Sequence, residues 1–359
     1  MDFRFTDDQL TFQATLRKAL EKECTPEQVR ALWETESGRS AQRWAQLAEL
    51  GLLGLLVPED HGGLGLNEVD MVLLLEETGR AALPEPVLET AAVGVPILRN
   101  TPLARTWLPK VAAGDAILTV GHPLNPYVTD AHVADLLLLP HDDALHAVPR
   151  TRTTLRRQAC NDPSRRLFHV DWTPTADTRV AQGPDAHRLL DAAFDRAALA
   201  CAAQQLGVGQ HILDMGVRYA TDRQQFGKPI GSYQAVKHLL ANVAVRLEFA
   251  RPVVYRAAVS VAHAMPTRAV DVSHAKLAAS QAALLAAKTV HQVHGAIGYT
   301  WECDLHIWMK RAWALDITWG TSAWHRARVA AAVIDGLAPS ASFGYTRPLT
   351  AERGSPVAS

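Results

Sequence analysis

The stretch from Arg218 to Ala258, RYATDRQQFGKPIGSYQAVKHLLANVAVRLEFARPVVYRAA, constrains this chain more than any other. Its second half carries Val236, Leu239, Leu240, Val243, Val245 and Leu247 at helical spacing, so two amphipathic helices are expected to flank the Arg223-Gln224-Gln225-Phe226-Gly227 turn. Gly227, Pro229 and Gly231 interrupt the periodicity between them. Arg223 and Gln225 therefore belong at a helix end, where a guanidinium can reach out of a bundle toward an anion. A solvated surface charge satisfies the same pattern when the turn is taken alone.

Hydrophobic residues at 48% and charged residues at 20% describe a globular chain with material for two or three packed units in 359 residues. Lysine and arginine number 36 against 37 acidic residues, a net charge of -1 that gives no electrostatic case for nucleic acid or an anionic membrane. Cys24, Cys160, Cys201 and Cys303 lie far apart without a CxxC or Cys/His ligand spacing, which argues against a metal site and a disulfide framework. The N-terminal MDFRFTDDQ has neither a signal core nor a basic transit pattern, and no apolar run reaches the roughly 18 residues of a membrane span. A cytoplasmic protein is expected.

The first third reads as helical. Thr6 and Gln9 have capping-box spacing, and Thr25-Pro26 reads as an N-cap followed by a first-turn proline. Trp44, Leu47 and Leu50 form one core stripe, Asp60-His61-Gly62-Gly63 a tight turn, and Val69 to Thr78 a helix ending at Gly79-Arg80. Short β-rich segments follow between about Ala116 and Gln182: AILTVG, ADLLLLP, ALHAVP and RLFHVDW. Helical periodicity returns near Leu189, at Ala192–Gln210, Val259–Ala264, Ala275–Val290 and Trp308–Ile334, before a Pro/Ser/Gly-rich end from Pro339. The domain reading is 1–114 helical, 115–184 a shortened β domain, 185–338 a C-terminal four-helix bundle and 339–359 a flexible tail. The fold class is mainly α with a small β domain.

RxQFGKPIGSYQAV, followed by QVHGAIGYTWE from Gln292 to Glu302, resembles the C-terminal domain of the acyl-CoA dehydrogenase family; FTDDQ, WAQLAELGLLGLLVPEDHGGLGL and LEETGRAALPEP resemble its N-terminal part. That resemblance implies a flavoenzyme that desaturates acyl-CoA thioesters, with a glutamate removing the α-proton while hydride leaves for FAD. It also implies that Arg223, Gln225, Phe226, Gln234 and the loop Gln292, Val293, His294, Gly295 and Ala296 reach the ADP part of FAD across a subunit interface. Thr321 matches another flavin contact, Ala323 departs from the usual glutamine, and His294 reads as a packing position. Arginine suits the role because its planar fork matches phosphate oxygens.

Departures from the family pattern are concentrated where chemistry is expected. Most members carry the base in a Tyr-Glu-Gly-Thr sequence; here Thr318-Trp319-Gly320-Thr321 puts Trp319 at the glutamate position, and an indole N–H cannot accept a proton. Relatives that place it on the preceding long helix would have it at Ala197, next to Ala198 where an arginine often helps to hold CoA. Asp195 and Asp316 are the nearest carboxylates in sequence and read as helix-surface or capping residues. The Thr-Glu-Pro flavin contact reads Leu118-Thr119-Val120-Gly121-His122-Pro123, and the Trp-Ile-Thr stretch has no counterpart; Asn161 to Leu167 restores the alignment.

The pattern implies a non-catalytic subunit that completes the FAD site of a second, catalytically complete acyl-CoA dehydrogenase subunit in an α2β2 heterotetramer. Such heteromers occur in bacterial steroid side-chain breakdown, which points to a bulky acyl-CoA bound mainly by the partner, with an electron-transferring flavoprotein as acceptor. Two alternatives stand beside this: a self-sufficient flavoenzyme with a relocated base, and a cofactor-free helical scaffold or acyl-binding protein. No metal is expected.

Overall fold

The computed structural model describes residues 4–335; the tail assigned to 339–359 lies outside the described residues. The N-terminal unit comprises α1 (Asp7–Glu23), α2 (Pro26–Trp33), α3 (Ala41–Glu49) and α4 (Glu68–Arg80), then a π-helical turn, Leu88–Gly94, that runs into α5 (Val95–Leu98), and α6 (Ala104–Ala113). Thr6 and Thr25 both form reciprocal capping boxes, with Gln9 and Gln28 respectively, so each start signal is realised as written.

The β unit holds β1 (Leu118–Val120), β2 (Val128–Thr129), β3 (Leu136–His141), β4 (Ala144–Pro149), β5 (Thr153–Gln158), β6 (Leu167–Trp172) and β7 (Arg179–Gln182). They form one sheet in the order β1-β3-β4-β7 and a second in the order β2-β6-β5. Only β1 and β3 run parallel, pairing Leu118 with Leu136. Strand β5, TTLRRQ, escapes a hydrophobicity search because its side chains are mostly exposed or half-buried and its place is secured by pairing with β6.

Three long helices dominate the C-terminal unit: α7 (Pro184–Asp222), α8 (Gln234–Ala262) and α9 (Arg268–His294). A two-residue hairpin, β8 (Gln224–Gln225) and β9 (Lys228–Pro229), joins the first two. The fourth bundle position is filled by two helices, α10 (Leu305–Ile317) and α11 (Ser322–Val333), where periodicity alone predicts one continuous helix from Trp308. On α8 the expected stripe divides: Leu240, Val243 and Leu247 are buried, whereas Leu239 and Val245 face outward with Phe249.

Helices α4 and α7 cross nearly backbone to backbone. A Cβ on Gly79 would lie 2.0 Å from the Gln204 carbonyl oxygen, and one on Gly207 only 1.8 Å from that of Glu76. Both glycines are therefore required by close approach. Around the crossing, Glu77 accepts from Arg17 on α1 at 2.6 and 2.8 Å, and Glu76 accepts from Arg251 at 2.5 Å and Tyr255 at 2.9 Å on α8. Burial raises the Glu76 carboxyl above its ordinary range against the pull of Arg251. Gly207→Ala is expected to lower unfolding free energy by about 3 kcal/mol, the upper end of overpacking costs. Urea denaturation checks this; a midpoint within error of the parent would show that the helices separate freely.

Candidate functional site

The break between α10 and α11 is built by a short run of unusual backbone. Trp319 has φ +55° and Gly320 φ +94°, and Thr321 caps α11 by accepting from the Trp324 N–H at 3.2 Å. A left-handed tryptophan is a strained residue that persists only where its surroundings hold it. Lys276 on α9, fully buried, supplies part of that hold: its ammonium donates to the carbonyls of Leu315 at 2.8 Å, Asp316 at 3.0 Å and Gly320 at 3.4 Å. A cation at a helix C-terminus satisfies carbonyls that have no partner within the helix.

His325 supplies the rest. Its Nε2 lies 2.9 Å from the Trp319 carbonyl, so that nitrogen carries the proton and donates, while Nδ1 accepts from the Ser273 hydroxyl at 3.0 Å. Burial is the main cause that lowers the His325 pKa to about 4, so the ring is neutral at pH 7. Ser273 in turn accepts from Arg328 at 3.3 Å. Arg328 and Arg268 share the Asp195 carboxylate at 3.0 and 2.7 Å. Asp195 is thus not the surface or capping residue expected from sequence: it is 1% exposed and held in a double ion pair. Asp316 accepts from Ser322 at 2.6 Å.

The Trp319 side chain is 2% exposed and belongs to an aromatic cluster. His122 lies 5.5 Å from its ring and 5.2 Å from Phe194, which in turn is 4.8 Å from Trp324. His122 comes from the turn after β1, so β unit and bundle meet through rings at this point. Ala197 is fully buried on α7, one turn from Phe194. Beside the break, a polar chamber of about 30 Å3 is lined by Thr318, Arg165, Asp130, Glu89 and Gln204. That volume holds about two waters, far below what an isoalloxazine ring needs.

Sequence reasoning missed Glu89. It sits in the π-helical turn, a feature frequent at functional sites, and its carboxyl accepts from its own backbone N–H. Burial first, and the neighbouring Asp130 charge next, raise its pKa. A lone glutamate inside the apolar run VLETAAVGVPIL was the available signal.

The remaining predicted residues gather at the other end of the bundle. Arg223 is the C-cap of α7, and Phe226 and Gly227 form the hairpin turn with φ +52° and +77°, the type I′ geometry. Phe226 is 92% exposed, an uncommon state for an aromatic residue that is also strained. Tyr233 donates to the Gln225 carbonyl at 3.2 Å, and Gln234 begins α8. Tyr219 brings the second loop alongside: its ring stacks on His294 at 4.2 Å and its hydroxyl donates to the His294 carbonyl at 3.4 Å. His294 is buried and bonded through Nδ1 to Val290, a packing role; Val293 packs against the core. Gln292, Gly295 and Ala296 are exposed. Gly295 has φ +61° and ψ −139°, a conformation open essentially to glycine alone.

Arg223, Gln225, Gln234 and Gln292 are exposed side chains without an internal partner among the described residues. Their donors fit the pyrophosphate and adenosine of a dinucleotide, whereas the collapsed chamber and Trp319 do not fit a flavin ring. Thr321 is not brought to this end. It adjoins Lys276 through Gly320, and 16 residues of α9, about 24 Å, separate Lys276 from Gln292. Among the described residues no cluster of His, Cys, Asp or Glu could hold a metal, and no helix is long and apolar enough to cross a membrane.

Helical N- and C-terminal units around a small β unit are the architecture of the acyl-CoA dehydrogenases, and the chain belongs to that family of FAD-using oxidoreductases: its N-terminal domain model matches residues 6–115 and its C-terminal domain model residues 187–334. Among individual relatives, the chain is 34% identical to the acyl-CoA dehydrogenase IpdE2 of Mycolicibacterium smegmatis, over 86% of this chain and 93% of that protein. It is likewise similar to the solved ChsE4-ChsE5 complex from Mycobacterium tuberculosis, at 26% identity and a TM-score of 0.84, covering 93% of this chain and 99% of that one. A solved Tcur3481-Tcur3483 steroid ACAD variant gives 26% identity, a TM-score of 0.83, and coverage of 92% and 99%.

The depressed pKa makes His325 an acid-sensitive element. The unfolded ring titrates near its ordinary value of 6.5 and the folded one near 4, so the unfolded state binds more protons between those values. The His325 contribution is present above pH 6.5 and is lost as pH falls toward 4, by up to about 3 kcal/mol. His325→Gln, which offers a donor and an acceptor but does not titrate, is expected to flatten stability against pH by about 2 kcal/mol in denaturant titrations at pH 7 and pH 4.5. An unchanged slope would place the titration elsewhere.

Proposed function

We propose that this chain is the non-catalytic subunit of a heteromeric FAD-dependent acyl-CoA dehydrogenase and completes a partner's FAD site. The observation that carries the reading is an asymmetry between the two ends of the bundle. At one end, Arg223, Gln225, Phe226, Gln234, Gln292 and Gly295 stand exposed and unpaired, as groups given to a neighbour would. At the other, Trp319, which the family resemblance aligns with the base, is buried and pinned, and the adjoining chamber is only about 30 Å3. The assembly is an α2β2 heterotetramer in the cytoplasm, with the partner supplying the base and most acyl-CoA contacts, and an electron-transferring flavoprotein taking the electrons. The solved ChsE4-ChsE5 complex and the Tcur3481-Tcur3483 steroid ACAD variant support a heteromer acting on a bulky, steroid-derived acyl-CoA.

The isolated chain should not turn over any acyl-CoA with an artificial electron acceptor, and Trp319→Glu alone should not restore turnover, because the flavin-wall stretches that the β unit lacks would still be missing. After gel filtration of the co-expressed pair, flavin absorbance should give about one FAD per heterodimer. Arg223→Ala should weaken flavin retention by one to two orders of magnitude, since charge-assisted hydrogen bonds contribute roughly 1.5–3 kcal/mol each. Unchanged flavin content in that variant, or two flavins per heterodimer in the parent, would overturn the proposal.

One observation favours a second reading, a self-sufficient enzyme with a relocated base: Glu89 is a buried carboxyl of raised pKa beside Thr318, as a general base requires. Turnover by the isolated chain that disappears in Glu89→Gln would select it.

A further inference from the structure

A cleft of about 370 Å3 opens where α1, α4, α7 and α10 meet. Its size is inside the roughly 300–1,000 Å3 of small-molecule sites, and a junction of two structural units is a usual place for one. None of the flavin-contact residues lines it, nor do Trp319 or Ala197. His211 and Trp308 stack within it, with ring centroids 4.0 Å apart and planes 18° from parallel.

The polar groups of the cleft divide into those already committed and those left over. The Trp308 N–H is spent on the Arg80 carbonyl at 2.8 Å. Arg17 is held by Glu77, Arg80 by Asp214 at 2.7 Å, and Asp304 by Arg30. The Cys24 thiol leans on the Ala81 carbonyl at 3.4 Å, and burial pushes its pKa up to about 12, so it is no nucleophile. What remains is the His211 ring deep in the cleft and two exposed charges at the mouth, Arg218 and Glu21, none of them with a hydrogen-bond or ion-pair partner among the described residues. Burial keeps His211 neutral, so it offers one donor and one acceptor. Glu21 follows Arg17 by one turn of α1 and lies in that guanidinium's field; Arg218 has Asp214 and Asp222 one turn to either side on α7, Asp214 being already held by Arg80.

We infer that this cleft is a second ligand site, for a compact alicyclic monocarboxylate bearing a hydroxyl or carbonyl group. The ring system lies against Leu20, Met215 and the His211–Trp308 stack, the carboxylate meets the unpaired Arg218 in a forked pair, and the oxygen substituent meets the His211 imidazole. The site stands on residues separate from the flavin contacts and does not depend on the proposed heteromer.

Isothermal titration of the full chain with hydroxyadamantane carboxylate, adamantane carboxylate and adamantane carboxamide tests it. The first is expected to bind most tightly, the second several-fold more weakly, and the carboxamide at least tenfold more weakly. Arg218→Ala, a change at an exposed side chain, should weaken both carboxylates about tenfold or more. His211→Phe keeps the stack and should abolish the preference for the hydroxyl while leaving adamantane carboxylate unaffected. Arg223→Ala should bind all three as the parent does, which separates this site from the flavin residues. No binding of the hydroxy acid, equal binding of acid and carboxamide, or unchanged affinity in Arg218→Ala would overturn the inference.

Discussion

The crossing of α4 over α7 at Gly79 and Gly207 is the constraint on which the rest depends. With no Cβ between them the two backbones come close enough that the acidic end of α4 reaches two other helices, Glu77 to Arg17 on α1 and Glu76 to Arg251 on α8. A wider crossing would leave buried carboxylates short of their partners, and an unpaired buried charge costs several kcal/mol where a paired one is nearly neutral. The same crossing sets where the π-helical turn and Glu89 lie against α7, and hence the size of the chamber beside Thr318.

Two different solutions to the same problem are visible at the ends of α9. At its start, a buried ammonium and a neutral imidazole hold an irregular segment in place, so Trp319 adopts a left-handed backbone inside the protein. At its finish, Gly295 makes the irregular turn and the loop is left open to solvent. Strain that is buried and fully bonded serves packing. Strain that is exposed, as at Phe226 with its ring in water, has no packing benefit within this chain, and a binding partner is the natural source of compensation.

Much of the architecture was legible from local chemistry. The capping boxes at Thr6 and Thr25, the end of α4 at Gly79-Arg80, and the turn at Phe226-Gly227 each depend on contacts within a few residues, and each occurs where its residues announce it. Helix α10 stops short of the periodicity because the break at Trp319-Gly320 is held in part by Lys276, about forty positions away. Strand β5 was invisible for the same reason, its identity residing in β6. Asp195 looked like a surface carboxylate because Arg268 and Arg328, its two partners, come from other helices.

By itself, the order of residues determined that this chain folds as an acyl-CoA dehydrogenase and that the segment ahead of α11 reads Thr318-Trp319-Gly320-Thr321, since those statements concern identity and position. Only the tertiary structure decided what surrounds those positions: that Trp319 is buried against His122 and Phe194, that Glu89 faces a chamber of about 30 Å3, and that Thr321 lies far from Gln292. The reason is physical. Capping, turns and periodicity are short-range, whereas burial, pKa and cavity volume are set by side chains that meet across hundreds of residues, and no local pattern encodes which of them will meet.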